Sequence, residues 1–394
     1  MLVKPIAQHR RRVIVVGAGL GGLATARALV RVGVPVTLLE KNDGVAEPWR
    51  RRHPQLHLNT HRALSALPGL DIPKQAGAFP TRDTIVTYLE DYARGLDAPI
   101  EYGVEVSRLD PTDDGWRLAT STGPRTARHV VIATGRDRVP WMPDWPGKEG
   151  FSGELLHSAY LGDVARFKHK RVLVIGAGNS GTDVMNHLAR IETEAIWVSV
   201  RNGPTIFPTR LLGMPMQRLA PLVAALPVGA ADRVLTALER LAFGDLRRHG
   251  MPPTAEGAVS RLAREGTVVA VDDGFVAALK AGRISVVPSV HRFDGTGVIL
   301  ADARRLEPDA VIVATGYRTG LEPMLGHLDV LDEAGCPRQC ARPVAPVLPG
   351  LWFAGMWPSL TGFFYETAKR SPLIAAGIAD DLESRGLSTL EQTA

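Results

Sequence analysis

The stretch "RVIVVGAGLGGLATARALV" (residues 12–30) decides how this chain folds, because "RVLVIGAGNSGTDVMNHLA" (171–189) repeats its plan. Each copy is a β-branched apolar run, then G-x-G-x-x-G, then a helical pattern. That is the strand, loop and helix of a dinucleotide-binding unit. Downstream of the first loop comes "HVVIATG" (129–135), and downstream of the second "AVIVATG" (310–316). Before each ATG lies a stretch of short alternating strands with turn signals, "IEYGVEVSRLDPTDDGWRLATSTG" (100–123) and "RISVVPSVHRFDGTGVILADA" (283–303). The repeated order predicts an α/β fold with two Rossmann-like dinucleotide-binding domains, each carrying a β-meander. The C-terminal "GLWFAGMW" (350–357) reads as a strand returning to the first unit. The second domain is therefore expected inside the first: residues 1–145, then 146–303, then a return over 304–394.

The two loops differ in what completes them. In the first, Gly17 allows the tight turn, Gly19 lets backbone approach a pyrophosphate, and Gly22 allows close helix–strand packing. Glu40 ends the next apolar run, "VTLLE", where a carboxylate can accept from a ribose 2′-hydroxyl. In the second loop (Gly176, Gly178, Gly181) the next run, "AIWVSVRNG", places Arg201 where the first copy has Glu40. A cation there suits a 2′-phosphate, so this site is expected to take NADPH rather than NADH. Two unlike dinucleotides with no C-x-x-C dithiol imply a flavin, FAD, that NADPH reduces and that something other than a disulfide reoxidises. Molecular oxygen is the expected acceptor. Cys336 and Cys340 are the two cysteines, spaced C-x-x-x-C, too few for a disulfide framework and consistent with a reducing cytoplasm.

Composition excludes other classes. The 394 residues carry 45% hydrophobic and 22% charged side chains, ordinary for a soluble globular chain. Basic clusters (9–12, 50–52, 247–248, 304–305) account for the net charge of +5 but are scattered and lack interleaved aromatics, so no nucleic-acid partner is expected. The longest apolar run, "LAPLVAALPVGAA" (219–231), is too short for a membrane span and holds prolines. It belongs to a helical insert over 208–265, read equally well as packing on its domain or as a lid or tunnel wall over an apolar substrate. His53, His57 and His61 recur every four residues, but Pro54 disfavours a helix there, so no metal site is expected.

Between the loops lies "FSGELLHSAY" (151–160), which reads as neither a strand nor a good helix. With Phe151, Gly153, His157 and Tyr160 it resembles the F-x-G-x-x-x-H-x-x-x-[FY] identifying segment of flavin-containing monooxygenases. The resemblance covers almost the whole chain. "SVRNGPTIFPTRLLG" (199–213), "LAFGDLRRHGMPP" (241–253) and "VIVATGYR" (311–318) look most like the plant YUCCA-type branch. It implies a class B flavin-dependent monooxygenase that uses NADPH and oxygen to form a flavin hydroperoxide and oxygenate a small organic substrate. The substrate reading stays open between amine or sulfide oxygenation and attack on a carbonyl or 2-oxo acid. An NADPH oxidase or quinone-type reductase without oxygen insertion, and a low-turnover flavin redox sensor, are the alternatives. By the same resemblance the segment at 151–160 is a hinge and cofactor clamp through His157, and Trp49 lies in the loop that packs on the flavin. Asn59 stands beside the reactive face of the ring, as the catalytic candidate. "FAGMWPSLTGFFYETAKRS" (353–371) borders the isoalloxazine, with Gly355 and Thr361 at close approach. Thr134, Gly135, Ser180, Thr315 and Gly316 complete the expected cofactor-binding set. A homodimer is compatible with this reading.

Overall fold

The computed structural model describes residues 13–338 and 345–391; Cys340 and the basic residues at 9–12 lie outside them. Two five-stranded parallel sheets form its frame, and their strand orders match position for position. In the first, Val13–Val16 lies between Val36–Leu39 and His129–Ile132. Ile100–Glu101 forms one edge and Leu351–Phe353 the other. In the second, Arg171–Ile175 lies between Ala195–Ser199 and Ala310–Val313, with Ile284–Val287 at one edge and Glu154–His157 at the other. The central strands are buried on both faces, as parallel strands covered by helices must be, and their unbroken Val/Ile/Leu runs follow from that. Each unit carries a three-stranded antiparallel meander: Val106–Thr112, Gly115–Thr120 and Arg125–Ala127 in the first. The second is built from Val290–Asp294, Gly297–Leu300 and Arg305–Leu306.

Two sequence expectations are corrected by this pairing. The strand Ala310–Val313 sits beside Arg171–Ile175 in the second sheet, so the return to the first unit begins after it, not at residue 304. The crossings themselves lie side by side, Val139–Pro140 pairing antiparallel with Tyr317–Arg318. The segment at 151–160 does contain a strand. Glu154–His157 pairs with Ala310–Val313 and occupies the edge that Leu351–Phe353 fills in the first sheet. Lacking β-branched residues and partnered on one side, it carries a weak local signal for a strand.

Tight contacts hold the first loop helix (Leu20–Arg31) in place. The C-terminal helix Phe363–Glu391 packs along it, and Thr25 Oγ1 meets Ser371 Oγ at 3.2 Å. A Cβ on Gly21 would lie 3.1 Å from the Ala354 carbonyl oxygen, which is why a third glycine follows Gly19 here. The insert is built on Ile206–Pro208, which pairs with Ala270–Asp272, and on helices Ala220–Ala224, Val228–Phe243 and Ala258–Glu265. Its prolines start helices instead of breaking them: Pro221 is in the first turn of one and Pro227 caps the next. Val223, Ala231, Leu235 and Ala258 form its core, and Leu360 of the returning segment packs against them.

Candidate active site

Both glycine loops open onto one cleft of about 1300 Å³ between the two sheets. The loops match glycine for glycine. Gly17 and Gly176 take φ of +103° and +101°, and a Cβ on either would lie 2.7 Å from the carbonyl oxygen of Ala133 or Ala314. A Cβ on Gly22 or Gly181 would lie 1.9 Å from the carbonyl oxygen of Gly17 or Gly176. Gly19 and Gly178 are different, because a Cβ there meets nothing within 4 Å and both residues line the cleft. Each caps its helix without a side-chain hydrogen bond, and neither helix has an acidic residue in its first turn. Two sets of uncommitted N-terminal amides thus face one cavity, the arrangement that binds anionic phosphates.

Around the first loop, Glu40 is buried and lines the cleft; its carboxylate accepts from the Ala18 amide at 2.8 Å and from the Asn42 amide at 3.0 Å. Thr134 and Gly135 follow the strand His129–Ile132. Gly135 has φ of +85°, and the Thr134 hydroxyl is buried with no partner among the described residues, as a donor awaiting a ligand would be. Trp49 stands 6.0 Å from Phe364, centroid to centroid, and both line the cleft. Gly355, with φ of +68°, sits against Gly21, so the returning segment reaches the first loop itself. Thr361 is buried below the cleft wall: its hydroxyl donates to Glu366 Oε1 at 2.8 Å and its carbonyl accepts from Gln217 of the insert at 3.2 Å.

Around the second loop, Ser180 and Arg201 line the cleft. The Gly17 amide donates to the Leu39 carbonyl and the Gly176 amide to that of Ser199. This register makes Val200 the counterpart of Glu40, and Arg201 lies one residue further on. Arg201 is exposed and makes no ion pair among the described residues, so its guanidinium is available to a ligand. Thr315 donates to the Trp141 carbonyl at 2.6 Å, and Gly316 takes φ of +92°.

His157 is buried at the end of its edge strand. Its Nδ1 accepts from the Ala159 amide at 3.0 Å, so Nε2 bears the proton and donates to the Gly316 carbonyl at 3.0 Å. Burial, aided by Arg52, holds its pKa below the ordinary value, which favours the neutral ring. It therefore ties the segment at 151–160 to the second ATG turn and stacks edge-on against Tyr317. Tyr160 is corrected: it follows His157 by three residues, one short of the F-x-G-x-x-x-H-x-x-x-[FY] spacing. Fully buried Leu161 stands at that position and Tyr160 is 67% exposed.

Asn59 lies on the cleft wall and bridges the two halves, its Nδ2 donating to Asn179 Oδ1 at 2.8 Å at the start of the second loop helix. The histidines that recur at 53, 57 and 61 do not share a face. His57 is exposed and hydrogen-bonded to the Gln55 carbonyl, while His61 Nδ1 caps the turn at Ala63. His53 instead reaches Asp183, a contact no local pattern could show because the partners are 130 residues apart. The insert supplies Met216, Leu219, Val223, Leu235 and Leu238 to the cleft, so it is a wall of the cavity as well as a packed subdomain.

Residues 14–205 match the family model of the pyridine nucleotide-disulphide oxidoreductases. The indole-3-pyruvate monooxygenase YUCCA1 of Oryza sativa subsp. japonica is 33% identical over 329 residues, covering 81% of this chain and 81% of the rice protein. The chain belongs to the flavin-dependent monooxygenases. The probable indole-3-pyruvate monooxygenase YUCCA3 of Arabidopsis thaliana is 29% identical over 94% of this chain and 86% of its own length. The solved flavin-containing monooxygenase from Stenotrophomonas maltophilia superposes with a TM-score of 0.67 at 25% identity, covering 93% of this chain and 98% of that one. Cyclohexanone monooxygenase from Rhodococcus bound to NADP+ shares the fold, with a TM-score of 0.67 at 20% identity. Among the described residues of this monooxygenase, no helix is long and apolar enough to cross a membrane.

Proposed function

We propose that this monooxygenase binds FAD at Gly17, Gly19, Gly22 and Glu40 and NADPH at Gly176, Gly178, Gly181 and Arg201. On this reading it oxygenates a small apolar 2-oxo acid at its carbonyl. The observation that carries the reading is the single cleft shared by two matched loops, with Asn59 joining the flavin-side segment to the nucleotide-side helix. FAD, when bound, supplies hydride acceptance and oxygen activation. The chain's own residues do the rest. Loop amides hold the phosphates, and Met216, Leu219 and Val223 keep water from the reacting end. His157, neutral and committed at both nitrogens, holds the linking segment and is not a proton carrier.

The balanced reaction converts a 2-oxo acid, oxygen, NADPH and a proton to the carboxylic acid one carbon shorter, carbon dioxide, NADP+ and water. The relatives named as indole-3-pyruvate monooxygenases support this class. Asn59 favours a second reading, oxygenation of an amine or thioether, because its amide offers a donor beside the cleft. A panel of an aryl 2-oxo acid, a tertiary amine and a thioether separates the two. Carbon dioxide release equal to NADPH consumed, with the 2-oxo acid alone, is the expected result. An N-oxide or sulfoxide formed without decarboxylation of the 2-oxo acid would select the second reading.

Asn59 is expected to act in the oxygen half of the cycle. Asn59→Ala should leave anaerobic flavin reduction by NADPH within about twofold of wild type, since what is lost is one part-buried neutral hydrogen bond. Hydrogen peroxide released per NADPH should rise. Unchanged peroxide yield would make the bond to Asn179 a structural tie and nothing more.

A further inference from the structure

Where the two units meet beside the cleft, three metal-ligating side chains converge that the oxygenation reading does not use. Asp183 and His187 stand four residues apart on one face of the second loop helix, and His53 comes from the first unit, its path fixed by Pro54. His53 Nε2 lies 2.8 Å from Asp183 Oδ2, and His187 Nε2 lies 3.4 Å from Asp183 Oδ1. One ligand atom from each residue falls within 4.8 Å of the other two. Both imidazoles are buried, and their rings meet edge to face at 5.2 Å.

We propose that His53, Asp183 and His187 bind one divalent transition-metal ion of the zinc class, clamping the two dinucleotide units together. Two neutral imidazoles and one carboxylate suit Zn²⁺, Co²⁺ or Ni²⁺, whereas Mg²⁺ and Ca²⁺ take oxygen ligands. Three ligands about 2.0–2.1 Å from a tetrahedral ion stand a little over 3 Å apart, so the ligand atoms need move by only about an ångström to close on one. His53 and Asp183 also line the cleft, which leaves a fourth coordination position open toward it. His53 Nδ1 is buried without a partner among the described residues. Nothing on that edge therefore fixes the tautomer, and Nε2 is able to present its lone pair to a cation instead of a proton to Asp183. The same missing outer partner lowers affinity, since such partners are worth about 10–100-fold in metal binding. The site is accordingly an exchangeable one and not a permanent structural zinc. The second loop helix begins at the proposed NADPH phosphate site, so an ion held there restrains that helix against the flavin-side segment.

The test uses FAD-loaded protein stripped with EDTA and desalted, in a Cys336→Ser/Cys340→Ser background that removes the thiols. Titration with Co²⁺, followed by its ligand-field absorption, and competition with a zinc indicator read binding directly. One ion per chain is expected, with the dissociation constant raised at least ~100-fold in His53→Ala and in His187→Ala. His187→Gln replaces the latter should it fail to fold. Absence of stoichiometric binding in the background protein, or binding that survives in the folded histidine variants, would overturn the proposal.

Discussion

Gly19→Val is expected to give a folded, colourless protein. An added Cβ at Gly19 meets no protein atom within 4 Å, so the chain accommodates the side chain. The same side chain projects into the cleft where the uncommitted amides of the first loop helix converge, and on the proposed assignment it would displace the FAD pyrophosphate from them. Flavin absorbance should therefore vanish while circular dichroism and the elution volume stay those of wild type. Gly22→Val is the contrasting control. Its Cβ would lie 1.9 Å from the Gly17 carbonyl oxygen, a backbone atom, so the variant should fail to accumulate as folded protein. Full flavin occupancy in folded Gly19→Val would remove the first loop from the FAD site.

Arg201→Ala is expected to weaken NADPH roughly tenfold, the lower end for a charge-assisted hydrogen bond because the guanidinium is solvent-exposed. Binding of NADH and the flavin content should not change. The expectation rests on a cation at the rim of the cleft with no carboxylate partner among the described residues. Titrating both nicotinamides into wild type and variant decides it. Equal loss for the two, or none for either, would mean that Arg201 does not read the phosphate. The effect should also shrink with added salt, as an exposed charge contact must.

Much of this architecture was legible in the sequence because it is repeated. The two loops, the two ATG turns and the two meanders are local patterns, and their shared order forecast two dinucleotide-binding domains of one plan; the two sheets indeed share one strand order. What escaped is what depends on distant pairing. The edge strand Glu154–His157 is recognisable only through its neighbour Ala310–Val313, and the same neighbour moves the boundary expected at residue 304. Arg201 lines the cleft, but it stands one residue beyond the counterpart of Glu40, the position with which the repeat aligns it. The register is fixed by backbone bonds from Gly17 to Leu39 and from Gly176 to Ser199, which side-chain patterns do not show. Periodicity grouped His53 with His57 and His61; tertiary structure instead grouped it with Asp183 and His187.

Electrons from NADPH and an atom of oxygen are expected to meet in the cleft between these loops. Turnover under ¹⁸O₂ with NADPH and an apolar 2-oxo acid tests it most directly, with the product read by mass spectrometry against NADPH consumed. One ¹⁸O should enter the carboxylic acid for each NADPH oxidised, with little hydrogen peroxide. Oxygen recovered entirely as hydrogen peroxide across 2-oxo acid, amine and thioether substrates alike would contradict it and make the protein an NADPH oxidase.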